Sequence, residues 1–184
     1  MPRVPVHGVD DAPAEAQDDL KAMEEKMGKV LNIHGEMAHS PVVLATYRAM
    51  GRAITEHGTY DGRTREAVAL AVGAVDKCAY CQSAHTVAGT RAGLSEDDTL
   101  AIRHGKPTGD DRLDALLALG REITGDVGHV QDATWQQGLD AGWSVEELQE
   151  LYAHVAVNIY TNYFNHFAGT ELDVPEAPEL GSTT

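Results

Sequence analysis

Apolar residues recur at intervals of three and four along most of this chain, and no run alternates apolar with polar residues in the manner of a half-buried strand. The pattern predicts an all-α protein. Leu20, Met23, Met27, Val30 and Leu31 form the stripe of a first amphipathic helix. Met23 and Met27 are expected in the core. Ser40 before Pro41 reads as an N-cap with proline at the first helical position. The helix it opens carries Val43, Tyr47, Met50 and Ile54 on one face and stops at Gly58, expected as a left-handed cap. From Arg63 to Val75 the chain is apolar nearly all round, which predicts a buried helix. Asp76-Lys77 interrupts it. A further helix is expected from Cys78 to Ala92, ending at Gly93, and others over 95–104, 110–124, 130–141 and 144–168.

Two connections resemble each other. Ala92-Gly93-Leu94-Ser95 precedes the acidic start Glu96-Asp97-Asp98, and Ala141-Gly142-Trp143-Ser144 precedes Val145-Glu146-Glu147. Each is a glycine helix end followed by a serine N-cap with an acidic residue three positions on. Either the chain repeats a helical unit or good helix connections simply look alike. Residues 1–13 hold three prolines and no periodicity, and the region from 175 carries Pro175 and Pro178. The expected organisation is an N-terminal arm (1–13), one all-helical domain (14–174) and a C-terminal tail (175–184).

Composition narrows the function. At 184 residues and 42% hydrophobic content, the chain has enough apolar surface for a core without staples. Its formal net charge is -15, from 29 acidic against 14 basic residues, which argues against a nucleic-acid partner held by a basic surface. No apolar stretch is long enough to span a bilayer, so no membrane partner is expected. The opening Met1-Pro2-Arg3-Val4-Pro5-Val6-His7-Gly8 lacks the unbroken apolar run of a secretory signal. The expected location is the cytoplasm, where a close pair of cysteines is more often catalytic or metal-binding than structural.

That pair is Cys78 and Cys81, in the run Cys78-Ala79-Tyr80-Cys81-Gln82-Ser83-Ala84-His85. Three residues apart on a helix, the two side chains share a face, within reach of a reversible disulfide. In the first turn, free backbone N–H groups and the helix dipole favour a thiolate. His85, four residues beyond Cys81, is expected over or beside that sulfur, where an imidazole takes a thiol proton or stabilises the thiolate. Glu66 would lie about 18 Å from Cys78 on one straight helix. If Asp76-Lys77 folds the chain into a helical hairpin, Glu66 is carried back to His85, giving its buried carboxylate a partner.

Glu66, the step of twelve residues to Cys78, the Cys-x-x-Cys and His85 together resemble the signature of the AhpD-like alkylhydroperoxidase family, within the carboxymuconolactone decarboxylase superfamily. The run Asn158-Ile159-Tyr160-Thr161-Asn162-Tyr163-Phe164-Asn165-His166-Phe167, leading to Thr170-Glu171-Leu172-Asp173-Val174-Pro175, is similar to the closing segment of that superfamily. The resemblance covers about residues 40 to 175. It implies an AhpD-like helical bundle with the cysteine pair at a helix start, assembled as a homotrimer or homohexamer. It also implies a thiol-dependent peroxidase or disulfide reductase that uses no metal, haem or other cofactor. Cys81 would be the exposed attacking thiol, Cys78 the resolving one, and Glu66 with His85 the proton relay. The substrate would be a hydroperoxide or a disulfide, and the reductant a small dithiol or a thioredoxin-like or lipoyl-bearing partner. Tyr80 stands between the cysteines, where some relatives carry a histidine. The superfamily's lactone decarboxylases lack the cysteine pair.

Three other readings remain open at the level of sequence. The cysteines are structural; or Cys78, Cys81 and His85 bind zinc with Glu66 or His154; or the scaffold serves in assembly without catalysis. His154 and His166 lie on the last helix among Tyr160, Tyr163 and Phe164 and are expected to be packed or interfacial. The acidic run Glu96-Asp97-Asp98 is expected as a solvent-facing helix start.

Overall fold

A computed structural model describes residues 2–180, and these form nine helices with no strand among them. Met1, at the start of the expected arm, and 181–184, in the expected tail, lie outside the described residues. The helices are α1 (Ala14–Met27), α2 (Asn32–Ala38), α3 (Pro41–His57), α4 (Gly62–Val75), α5 (Ala79–Arg91), α6 (Glu96–Arg103), α7 (Asp111–Gly125), α8 (Asp132–Asp140) and α9 (Val145–Ala168). No helix among them is long and apolar enough to cross a membrane.

Local chemistry accounts for most boundaries. Asp61, Ser95, Asp110 and Ser144 each accept a hydrogen bond from the third backbone N–H of the helix that follows. At Ser95 and Ser144 the bond is reciprocated by Asp98 and Glu147, so both expected capping boxes form. Ser40 holds the N-cap position before Pro41, but its side chain makes no capping hydrogen bond.

Three expectations are corrected. The first helix ends at Met27 because Gly28 adopts a left-handed φ of 80° and its N–H closes on Glu24. Val30 and Leu31 therefore leave the stripe, and Met27 is 40% exposed while Met23 is buried. The short helix α2 then follows, unforeseen in the hydrophobic pattern. Gly58 is extended, with φ of -73° and ψ of 149°, and not left-handed. Its glycine is required by close approach: a Cβ would lie 2.5 Å from the Ile54 carbonyl oxygen and 2.8 Å from Glu150 Oε1.

The all-round apolar α4 is the central helix. Ala67 through Gly73 are buried, and α4 packs against α5, α6, α7 and α9. Leu70, Leu116, Leu117, Leu119 and Leu151 lie in the larger apolar cluster. A second cluster joins Leu20 and Met23 of α1, Met37 of α2 and Leu44 of α3 to Cys78, Tyr80 and Cys81. The cysteine pair thus lies where α1–α3 close over the α4–α5 hairpin. The arm is fastened to α9 and to α2: Arg3 N–H donates to the Ala168 carbonyl, and His7 N–H to that of Gly35.

Candidate functional site

The α4–α5 turn builds the site. Asp76 N–H donates to Val72 O at 2.9 Å, Lys77 takes a left-handed φ of 55°, and Cys78 N–H donates to Gly73 O at 3.0 Å. A non-glycine residue in that region is uncommon. At Lys77 it reverses the chain within three residues and sends α5 back along α4. Glu66 and His85 meet as a result, with Oε2 and Nδ1 2.7 Å apart and both side chains about one-quarter exposed. Gly89 permits this approach on the α5 side, since its missing Cβ would lie 3.5 Å from Glu66 Cβ and 2.8 Å from Leu94 Cδ1.

Cys78 is the N-cap of α5, and its sulfur accepts from Cys81 N–H at 3.4 Å. From α9, Asn165 Nδ2 donates to both sulfurs, at 3.2 Å to Cys81 and 3.7 Å to Cys78. The Cys81 thiol lies 3.9 Å from Thr161 Oγ1, which itself donates to the Asn158 carbonyl. The turn is also held from α9. Asn162 donates to the Asp76 carboxylate at 2.8 Å, and the His166 ring lies 3.0 Å from the Asp76 carbonyl.

This environment lets the pair hold a single negative charge. The Cys78 thiol is pushed down to about 6, first by the hydrogen bond from the Cys81 thiol and then, against the cost of burial, by the Cys81 backbone N–H, Asn165 and His166. The Cys81 thiol is pushed up by the same hydrogen bond, by burial and by the neighbouring Cys78 charge. The thiolate belongs on Cys78 because that sulfur sits at the helix N-cap and Cys81 does not.

The four expected site residues are therefore brought into one region, with two corrections. Cys81 is 3% exposed and Cys78 1%, so the attacking thiol is not on the surface as the resemblance implies. The arm and α1–α3 close over α5 and seal it. His85 turns its Nδ1 to Glu66 and, among the described residues, makes no hydrogen bond to either sulfur; the carboxylate is the stronger partner. Zinc ligation is not assembled either. His154 is buried elsewhere, 3.1 Å from Glu150 and stacked on Tyr60. No group of three or more histidine, cysteine or acidic side chains suited to a metal forms among the described residues.

Sequence reasoning missed the α9 contribution. Asn158, Thr161, Asn162 and Asn165 are all buried. Their spacing of three, four and seven marks one helical stripe, and a polar stripe on an otherwise apolar helix is the signal that was available.

Residues 41–122, from α3 into α7, match the carboxymuconolactone decarboxylase family. An uncharacterized protein of Haemophilus influenzae is 38% identical over 63 residues, which are 34% of this chain and 56% of that protein; the match thus spans just over half of the relative's length. Among solved structures, the alkylhydroperoxidase AhpD core of an uncharacterized peroxidase-related protein from Ralstonia eutropha JMP134 superposes with a TM-score of 0.84. It is 19% identical and covers 94% of this chain and 93% of its own. A peroxidase-related protein from Silicibacter sp. TM1040 gives a TM-score of 0.75 at 22% identity, over 97% and 93% of the two chains. At these identities the likeness is one of fold.

Proposed function

We propose that this chain, whose fold is AhpD-like, is a member of the carboxymuconolactone decarboxylase superfamily and a thiol-dependent peroxidase or disulfide oxidoreductase. Cys78 and Cys81 are its redox pair, and Glu66 with His85 is its proton relay. The observation that carries this reading is the pair of sulfurs sharing one amide donor, Asn165, on the hairpin that joins Glu66 to His85.

The reduced pair starts as a Cys78 thiolate hydrogen-bonded to the Cys81 thiol. Cys81 passes its proton to Cys78 and attacks a peroxide oxygen. The S–O bond forms as the O–O bond breaks, and the leaving alkoxide takes a proton from the Glu66–His85 relay. The Cys78 sulfur then attacks the Cys81 sulfenic acid, closing the disulfide and releasing water with the Cys78 proton. A small dithiol or a thioredoxin-like or lipoyl-bearing partner returns two electrons by exchange. With a disulfide substrate the same pair is oxidised while the substrate leaves as two thiols. Because both sulfurs are buried, substrate entry requires a local opening of the layer above α5. A homotrimer or homohexamer belongs to the same reading.

Cysteine variants test the order of events. Cys78→Ser, given an organic hydroperoxide, should stall at a Cys81 sulfenic acid that dimedone traps, and Cys81→Ser should yield no adduct. Adducts confined to Cys78 would reverse the roles, and hydroperoxide consumption at equal rates by both variants and the parent would reject the reading.

A further inference from the structure

Tyr47 joins the cysteine layer to a separate cavity. Its ring packs against the cluster that holds Cys78 and Cys81. The same ring borders a cavity of about 430 Å³ between α1, α2 and α3. That volume lies in the range of small-ligand sites.

The cavity's charge runs against that of the chain. Where acidic residues outnumber basic ones by 29 to 14, its wall carries Lys26, Arg48 and Arg52 against one carboxylate, Glu56. Arg48 is already paired with Asp19 at 3.1 Å. Lys26 and Arg52 form no ion pair among the described residues. Setting Glu56 against these two leaves one positive charge, which suits a monoanion better than a phosphate dianion.

Deeper in, two polar groups lack partners. His34 is 6% exposed, and its Nδ1 is buried with no hydrogen bond. The Tyr47 hydroxyl also has no hydrogen bond among the described residues, although its ring stacks on His34 with centroids 5.5 Å apart. An unpartnered buried atom such as His34 Nδ1 is costly, and a ligand's polar atom would satisfy it.

We infer that this cavity binds a small organic carboxylate, with the anionic end between Lys26 and Arg52 and the remainder reaching His34 and Tyr47, and that it is the substrate-admitting site of the thiol pair. The second half of this inference rests on the proposed redox function; the first half does not. The preferred substrate is then a carboxylate-bearing disulfide or hydroperoxide. With a disulfide, the reduced pair forms the Cys78–Cys81 bond as the substrate's S–S bond breaks; the Cys81 proton and one proton from solvent leave on the two product thiols.

Binding and chemistry are measured separately on the full chain. Hexanoate, which carries no reducible bond, should bind saturably by calorimetry, and hexanol should not. Replacing both cations (Lys26→Gln with Arg52→Gln) should weaken hexanoate binding by about tenfold or more. Equal affinity in this variant, or no saturable binding to the parent, overturns the site. The mixed disulfide of mercaptoacetate and mercaptoethanol, a monoanion, should oxidise the reduced parent about tenfold faster than neutral hydroxyethyl disulfide, and the ratio of the two rates should fall toward one in the double variant. If hexanoate binds as stated while neither disulfide nor hydroperoxide bridges the cysteines, the carboxylate site stands and the redox reading fails. If the redox chemistry proceeds with no preference for the anionic disulfide, the substrate assignment is overturned.

Discussion

At the scale of single residues, a few hydrogen bonds set the chemistry of the thiol pair. Glu66→Gln keeps the shape of the hairpin but removes the charge that orients His85, so peroxide-driven oxidation of the cysteines should slow by about a hundredfold in stopped-flow measurements. Asn165→Ala removes the one side-chain donor that both sulfurs share among the described residues. In alkylation by iodoacetamide as a function of pH, the parent should react with a midpoint near 6, since the thiolate is the nucleophile and the proton is held below that value. The Asn165→Ala midpoint should move upward toward that of an ordinary thiol. His34 supplies a pH test of stability. Burial pushes its imidazole down from 6.5 to about 4. Between those values the unfolded chain holds one more proton than the folded chain, so stability falls as pH drops from 6.5 toward 4. The loss should amount to about 3 kcal/mol, and denaturant titration of His34→Phe should show a flatter acid limb.

At the scale of elements, helix existence was legible because it rests on local signals. The serine and aspartate caps, the glycine ends at Gly93 and Gly142 and the breadth of the apolar face on α4 all act within a few residues. The hairpin bringing Glu66 to His85 was legible for the same reason: a break at Asp76-Lys77 between the apolar α4 and the helix that follows leaves little else to build. What the local pattern does not contain is competition between signals and long-range cover. Gly28 caps α1 although the 3–4 spacing continues through Val30 and Leu31. Cys81 is sealed by helices more than thirty residues away, so its burial has no trace near the cysteine motif. The contact of Asn165 with both sulfurs exists only because α9 lies across the α4–α5 turn, a long-range placement with no local signal. The hairpin also makes a packing prediction. A Cβ on Gly89 would meet Leu94 Cδ1 at 2.8 Å, and Leu94 is itself buried and cannot swing away freely. Gly89→Ala should therefore destabilise the fold by about 1–3 kcal/mol in denaturant titrations, despite alanine's better helix propensity.

At the scale of the whole molecule, the thiol pair lies between the α4-centred core and the layer formed by the arm and α1–α3, and the strand of chain after α9 crosses the same region. Tyr80 donates to Asp173 at 2.7 Å, and Ala177 N–H to Ser83 Oγ at 3.1 Å. A separate apolar face lies on α3 and α9, where Val43 meets the well-exposed Tyr163 and Phe167. Exposed apolar surface of this kind marks association sites. In the proposed homotrimer or homohexamer this face is buried, and Phe167→Asp should reduce the mass seen by light scattering.

The most direct test of the central claim is bridging of the two cysteines. Reduced protein is mixed with one equivalent of an organic hydroperoxide, quenched by alkylation at intervals and read by peptide mass spectrometry. A Cys78–Cys81 disulfide should form about a hundredfold faster in the parent than in Glu66→Gln. Two free, alkylated cysteines throughout, or bridging at the same rate in both proteins, would contradict that claim.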